Sequence, residues 1–551
     1  MKTKEKGRGR RAAVLCAGTM MYALLFALGS QIDSSGQTEP RVTLLRFLAA
    51  LPVGGAALFA LLEGVFPRLA RGKTLEAGAD QGEKPFCTAG AFLLILLSFV
   101  PMLLIQYPGS FMYDTQRQTF QVATGQYTTF HPLLHTLFLG LCLSAYDVLQ
   151  SFERCAALYS VLQMTMMAGA FALTCASISR SCSRRAARAA TAFFCLYPAH
   201  MAFASNCIKD SLFSAFFALW IACCLETVYT RERTRGQTAR LILSGVLACL
   251  MRNNMIYALL AWLVILILQR KRMGRLARCA LLIAVLAYGA NQGLVALTDA
   301  SGGSVGEMLC VPMQQLSRAY RDANACFSEE DRETMDALFE EQSYTRYEPT
   351  LADPVKLGIR TDALQAEPMR ALRMWLRIGR QCPGIYLDAF LNTALPFLYP
   401  YREYQVAAPY IETGMQYGVL TSPFGQEPIV QPRRFAAIRT WMDEHIWATG
   451  ADGVPVVREL FNCGLIIWLM LLCVLRAAYE GEWPVFFVLL LAVLLWCTYL
   501  LGPVMQGRYL YPFVCILPAL LAGCGGRRRA QPQKIKRINV KEEQTNERDT
   551  L

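Results

Sequence analysis

A polar stretch between two apolar runs, Tyr107-Pro108-Gly109-Ser110-Phe111-Met112-Tyr113-Asp114, is followed by His131-Pro132. A carboxylate placed there suits a general base, which takes a proton from an attacking hydroxyl. In front of Thr115-Gln116-Arg117-Gln118 the same residue equally suits a helix N-cap. Isolated charge also occurs at Lys209-Asp210, at Arg252-Asn253-Asn254 and at Gln506-Gly507-Arg508-Tyr509. A charge at membrane depth costs roughly 2.5–3.5 kcal/mol on the insertion scale, so such residues face a cavity or a partner. Arg252 and Arg508 offer phosphate planar, permanently charged donors, against the plainer role of snorkelling to the interface. Lys209 offers phosphate an ammonium group and Asp210 is a second acid, although adjacent opposite charges most simply neutralise each other. His131 and His135 stand one helical turn apart and, with Asp114, offer a divalent-metal site. The plainer reading has His131 capping the helix that Pro132 opens.

The elements that must position these residues are membrane helices. Of 551 residues, 54% are hydrophobic and 17% charged, too apolar for a soluble surface. Several runs reach the ~20 apolar residues that cross ~30 Å of hydrocarbon. The net charge of +13 does not indicate nucleic acid, because Lys and Arg lie in short clusters between apolar runs, a topological pattern. The twenty cysteines fall mostly inside apolar spans, where Cys acts as a small hydrophobe. Without CxxC pairs or His-Cys clusters they imply neither a disulfide framework nor a zinc site.

Spans are expected near 12–29, 43–66, 88–107, 156–178, 189–205, 211–230, 241–251, 255–269, 276–297, 458–476, 484–503 and 509–525. The first reads as an uncleaved span rather than a signal peptide. The apolar run Pro132–Val148 is excluded, because crossing there would put the cluster Arg180 to Arg188 and those after it outside. Laid on the outer surface as an amphipathic helix, it leaves the basic loops cytoplasmic, including Arg68 to Lys84 and Arg231 to Arg240. The same rule folds 241–268 into a hairpin turning at Arg252-Asn253-Asn254, where non-helical backbone must line protein or a wet cavity.

The domains then read as 1–87 (N-terminal helices and cytoplasmic loop), 88–297 (core, with outer loop 108–155), 298–457 (a small, mainly helical extracytoplasmic domain), 458–525 (C-terminal helices) and 526–551 (a disordered cytoplasmic tail). The outer domain holds Cys310, Cys326 and Cys382, an odd number that leaves at least one thiol unpaired. Its aromatic concentration, Tyr386, Phe390, Phe397, Tyr399, Tyr401 and Tyr404, reads mainly as a membrane-surface anchor and secondarily as a sugar-stacking surface.

This pattern resembles the GT-C class of membrane glycosyltransferases, on Tyr113-Asp114 in the first large outer loop and His131-Pro132-Leu133-Leu134 after it. It is more closely similar to an uncharacterised bacterial polytopic family with GT-C-like features, on the element Val311-Pro312-Met313-Gln314-Gln315-Leu316-Ser317-Arg318. The resemblance spans roughly 88–525 and implies an all-α polytopic membrane protein with about 12 transmembrane helices and juxtamembrane helices in the outer loop. It further implies an inverting transferase that moves a sugar from a polyprenyl-phosphate donor to a cell-envelope acceptor. Asp114 and Asp210 would be the catalytic acids. The resemblance places Arg508 near the donor phosphate; from their own chemistry His131, Lys209, Arg252, Gln314, Gln315, Arg318 and Tyr509 are the further substrate-binding candidates, with a polar helix face explaining Gln314, Gln315 and Arg318 equally well. The doubled-acid motif of oligosaccharyltransferases and the Asp-Glu pair of protein mannosyltransferases are both absent, which leaves acceptor and metal open. The implied partners are the lipid-linked donor and membrane lipids. The alternatives are a transporter or lipid flippase, and a noncatalytic membrane scaffold.

Overall fold

In hydrocarbon every backbone N–H and C=O needs an internal partner, so the apolar runs become helices. The computed structural model describes residues 2–67, 85–111, 113–230, 234–303, 305–400, 433–445 and 456–524. The Arg68 to Lys84 loop, Met112, part of the Arg231 to Arg240 loop, Tyr401, Tyr404 and the tail 526–551 lie outside these described residues.

Helices α1 (Lys2–Ser35) and α2 (Pro40–Phe59) pack on each other. Helix α3 (Thr88–Ile105) leads into a loop carrying strand β1 (Ser110–Phe111), α4 (Tyr113–Thr124) and α5 (Leu133–Leu143), before α6 (Phe152–Ser181) re-enters the bundle. Next come α7 (Arg184–Leu196), α8 (Pro198–Ser205), strand β2 (Asn206–Cys207) and α9 (Lys209–Tyr229). They are followed by α10 (Arg235–Met251), α11 (Met255–Leu268) and α12 (Arg270–Thr298). The main helices of the following domain are α13 (Cys310–Asp322), α14 (Glu329–Leu338), α15 (Pro368–Gln381) and α16 (Pro383–Leu398). Helices α17 (Cys463–Glu480), α18 (Trp483–Tyr499) and α19 (Gly507–Cys524) complete the bundle.

The chain is thus a nearly all-α membrane protein. Among the described residues eight helices are long and apolar enough to cross a bilayer: α1, α2 continued to Val65, α3, α6, α9, α12, α17 and α19. Helices α11 and α18 are apolar but shorter. The span expected near 189–205 is split into α7 and α8, because Pro198 cannot continue the ladder and forces Tyr197 into an extended conformation. Helix α9 is buried on almost every side, with Phe213, Phe217, Trp220 and Ile221 fully enclosed, so it forms the axis of the bundle.

Contacts sort the helix ends into two groups. One end joins Arg11 to Glu63 and Glu480, Tyr229 to the Gly523 carbonyl, and Arg180 and Arg240 to Glu226. At the other end Ser160 donates to the Pro108 carbonyl at 2.7 Å, and Ser205 donates to Gln106 at 3.0 Å. The segment from Gln106 to Ser151 therefore leaves and re-enters the bundle at one end, and the apolar stretch Leu133–Leu149 within it is shorter than the eight candidate spans. Helices α10 and α11 also turn at that end, where Asn254 donates to Thr498 at 2.7 Å. At the opposite end Thr227–Thr230, Arg270–Arg278 and Pro484 surround one cavity. Helix α12 packs along both arms of this hairpin.

Met313, Leu316, Phe327, Met335, Ile378 and Tyr386 belong to a second core, separate from that of the bundle. The domain it supports is clasped to the α1–α2 turn, where Arg318 and Asn392 both donate to the Gly36 carbonyl at 2.8 Å. Three of the aromatic residues expected as anchors, Tyr386, Phe397 and Tyr399, make contacts within the protein. Phe397 and Tyr399 are buried in protein contacts as α16 packs on α1 and α17, and the Tyr386 hydroxyl donates to the Trp375 carbonyl.

Candidate functional site

Two strands of two residues set the site. They pair in parallel, Ser110 opposite Asn206 and Phe111 opposite Cys207. Each runs directly into a helix with charge in its first turn: β1 into α4 with Asp114, β2 into α9 with Lys209 and Asp210. The approach is close enough to require glycine at position 109. Gly109 has φ +134°, and a Cβ there would sit 3.0 Å from the Ser205 carbonyl and collide with the Ser160 hydroxyl. The Thr115 hydroxyl donates to the Cys207 carbonyl. From α6, the Gln163 amide donates to the carbonyls of Phe203, Ala204 and Asn206, satisfying backbone that the end of α8 leaves open.

One oxygen of Asp114 accepts from Lys209 Nζ at 2.6 Å and from Arg508 Nη1 at 3.0 Å. Burial by itself would raise the Asp114 carboxyl, but Lys209 and Arg508 outweigh it and hold the group well below the usual carboxylate range. The capping and general-base readings of Asp114 are both modified, since its carboxylate is committed to two cations. Burial and the Lys209 ammonium push His131 down to about 3, so the ring is neutral near pH 7. His131 Nδ1 lies 3.1 Å from Lys209 Nζ, which assigns it as acceptor and places the ring proton on Nε2. That buried Nε2 has no hydrogen-bond partner among the described residues.

Lys209 and Asp210 do not neutralise each other. Successive helical residues point in different directions, and Asp210, fully buried, pairs instead with Arg252. The Arg252 guanidinium lies 4.6 Å from the ring centres of both Tyr499 and Tyr509, and its Nε donates to Asn254 Oδ1 at 3.0 Å. The two tyrosines stack with centroids 5.5 Å apart. The Tyr509 hydroxyl accepts from Arg508 Nη2 at 2.9 Å, so Tyr509 touches both arginines and joins the two ion-paired groups. Neither arginine snorkels, since both are buried.

Asp114, His131, Lys209, Asp210, Arg252, Arg508 and Tyr509 thus converge at one end of the bundle. Gln314, Gln315 and Arg318 serve the domain that follows it. Gln314 donates to the Glu348 carbonyl, Gln315 bridges Trp375 Nε1 and the Tyr386 carbonyl, and Arg318 engages Asp322 and Gly36. Their link to the site is indirect: Leu351 pairs with Val504 and the Ala352 N–H donates to the Pro503 carbonyl at 2.8 Å, fixing the strap ahead of Arg508.

His135 faces Gln118 at 3.0 Å and Tyr159 at 2.6 Å rather than joining His131 and Asp114. Among the described residues no group of three or more His, Cys, Asp or Glu side chains is arranged for a metal ion. Sequence reasoning passed over Tyr499, the second ring beneath Arg252, because an aromatic residue ending an apolar run reads as an interfacial residue.

Among the described residues three cations face two carboxylates here, beside a neutral imidazole donor and the buried Tyr499 hydroxyl, which has no hydrogen-bond partner among them. That balance favours an anionic group, phosphate above all. No curated protein and no solved structure shows significant similarity to the chain. Residues 122–538, a stretch that begins just after Asp114 and holds every other residue of the cluster, match the model of a family of unknown function, DUF6020, and the chain belongs to that family.

Proposed function

We propose that the protein is a GT-C-like inverting glycosyltransferase that moves a sugar from a polyprenyl-phosphate donor to a cell-envelope acceptor. The observation that carries this reading is the convergence of Lys209 and Arg508 on one oxygen of Asp114, with Arg252 held nearby by Asp210. In the resting site the two cations make Asp114 a weak base. A donor phosphate entering from the membrane competes for Lys209 and Arg508, and as they turn to it the Asp114 carboxyl rises toward its ordinary range. Asp114 then takes the acceptor hydroxyl proton while that oxygen attacks the anomeric carbon. The bond from that carbon to the phosphate breaks, and its electron pair leaves on a phosphate oxygen held by Lys209 and Arg508. Charge stabilisation of this kind is usually the largest catalytic contribution.

The reading takes twelve spans, cytoplasmic termini and an extracytoplasmic segment 298–457. It is supported by the grouping of Arg180, Arg240 and Arg270–Arg278 at the end of the bundle opposite the site, as the positive-inside rule requires. The test is reconstitution in nanodiscs with radiolabelled polyprenyl-phosphate hexose and isolated cell envelope as acceptor. Transfer that is lost in Asp114→Asn supports the proposal. Lipid movement across proteoliposomes without transfer replaces it with a flippase, and full turnover in Asp114→Asn removes Asp114 from the mechanism.

A further inference from the structure

We propose that Cys326 and Cys382 form a disulfide in the mature protein, a modification site in the domain that follows the bundle. Their sulfurs lie 2.9 Å apart although the residues are 56 positions apart in the chain. Cys326 ends a single helical turn, Asn324–Cys326, and Cys382 is the hinge between α15 and α16. Neighbouring contacts hold the two segments together independently of the thiols. Arg377 of α15 donates to the Cys326 carbonyl at 3.3 Å and pairs with Asp331 of α14. Both cysteines are partly exposed, so an oxidising partner can reach them. Burial and the neighbouring Cys326 push the Cys382 thiol up to about 11.

The third cysteine of the domain, Cys310, does not compete. It is fully buried, and its Sγ donates to the carbonyls of Gly306 and Glu307. The odd number of thiols is thereby resolved into one pair and one structural thiol, where the spacing of the cysteines alone pointed to no disulfide framework.

The oxidant is a protein disulfide of the kind found in extracytoplasmic compartments. One cysteine thiolate attacks a sulfur of that disulfide and expels its partner thiolate, giving a mixed disulfide. The second cysteine attacks the mixed disulfide and expels the remaining thiolate. Two protons and two electrons leave the pair, and the oxidant becomes a dithiol. The bond closes a loop containing Leu351 and Ala352, the residues that hold Pro503 and Val504 ahead of Arg508. It therefore stiffens the strap that positions a phosphate-binding arginine.

The full-length protein is extracted from membranes with N-ethylmaleimide present and no reductant, then mapped by peptide mass spectrometry. The expected result is one cross-linked pair of peptides containing Cys326 and Cys382, about 2 Da lighter than the sum of the free thiols, with Cys310 alkylated only after unfolding. Cys326→Ser should release Cys382 for alkylation, and Cys382→Ser should release Cys326. Complete alkylation of both cysteines in the unreduced wild type overturns the proposal. In that event a membrane-impermeant maleimide applied to intact cells locates the error. If it labels Cys382, the domain is outside and the pairing is wrong; if it does not, the orientation used in the proposed function is wrong as well.

Discussion

Lys209 and Asp210, adjacent at the start of α9, belong to different ion pairs: Lys209 reaches Asp114 at 2.6 Å and Asp210 pairs with Arg252. One helical turn thus divides its charges between the loop that precedes α6 and the hairpin that follows α9. Both pairs are out of water, where removing one partner is far more damaging than removing both.

Asp114→Asn keeps the shape of the side chain and removes its charge. Sugar transfer is expected to fall by ~10²–10⁴, in line with loss of a general base. Binding of polyprenyl phosphate, followed by native mass spectrometry, should persist or tighten, because Lys209 and Arg508 no longer have a competing carboxylate. Weaker binding in this variant would contradict the competition between Asp114 and phosphate.

The Asp210–Arg252 pair invites a double-mutant cycle. Arg252→Gln alone leaves Asp210 buried and uncompensated, at a cost of roughly 3–5 kcal/mol. The double variant Asp210→Asn/Arg252→Gln should recover about 1–3 kcal/mol of the sum of the single losses. Thermal unfolding in detergent gives the coupling, and purely additive losses would show that the two side chains do not depend on each other.

Acidification should loosen the site. His131 is held at about 3 in the folded protein, below the ~6.5 of an unfolded histidine. The unfolded chain therefore binds the extra proton first, and this contribution to stability is complete above about pH 6.5 and declines as pH falls toward 3. Asp114, also depressed, loses its contribution only at lower pH, below the ordinary carboxylate range. Melting temperatures from pH 7.5 to 5 should fall in the wild type and fall less steeply in His131→Asn. Parallel profiles would separate His131 from the effect.

Gly109→Ala tests the strand pairing. The added methyl would meet the Ser205 carbonyl and the Ser160 hydroxyl in a left-handed backbone region, so a loss of about 1–3 kcal/mol is expected. Gly125→Ala, also at positive φ but in open space, should cost less. Equal losses would mean that strain alone, without the close approach to β2, sets the requirement.

Much of the architecture was legible because membranes impose simple rules. The basic clusters led to a hairpin over 241–268, and its two helices, α10 and α11, do turn at Arg252–Asn254, where Asn254 donates to Thr498. The charged residues of the site were legible for a related reason, since Asp114, Lys209, Asp210, Arg252 and Arg508 stand out against apolar surroundings. Their pairing was not. Which carboxylate meets which cation depends on the ladder between Ser110 and Asn206, two strands too short to leave a periodic signal. Gln314, Gln315 and Arg318 look like ligand-binding residues on paper, yet the two glutamines satisfy groups within their own domain and Arg318 ties that domain to the Gly36 carbonyl of the α1–α2 turn. A polar helix face reads the same in either role.

Asp114 and Arg508 are 394 positions apart, and this separation has a consequence for biogenesis. During translation Asp114 and Lys209 are made long before α19, so the early bundle holds that carboxylate with only one of its two cations. The site gains Arg508 and Tyr509 only when α19 arrives. A product truncated before Gly507 would keep both carboxylates paired, Asp114 with Lys209 and Asp210 with Arg252, but would lack the extra cation that Arg508 brings to the cluster.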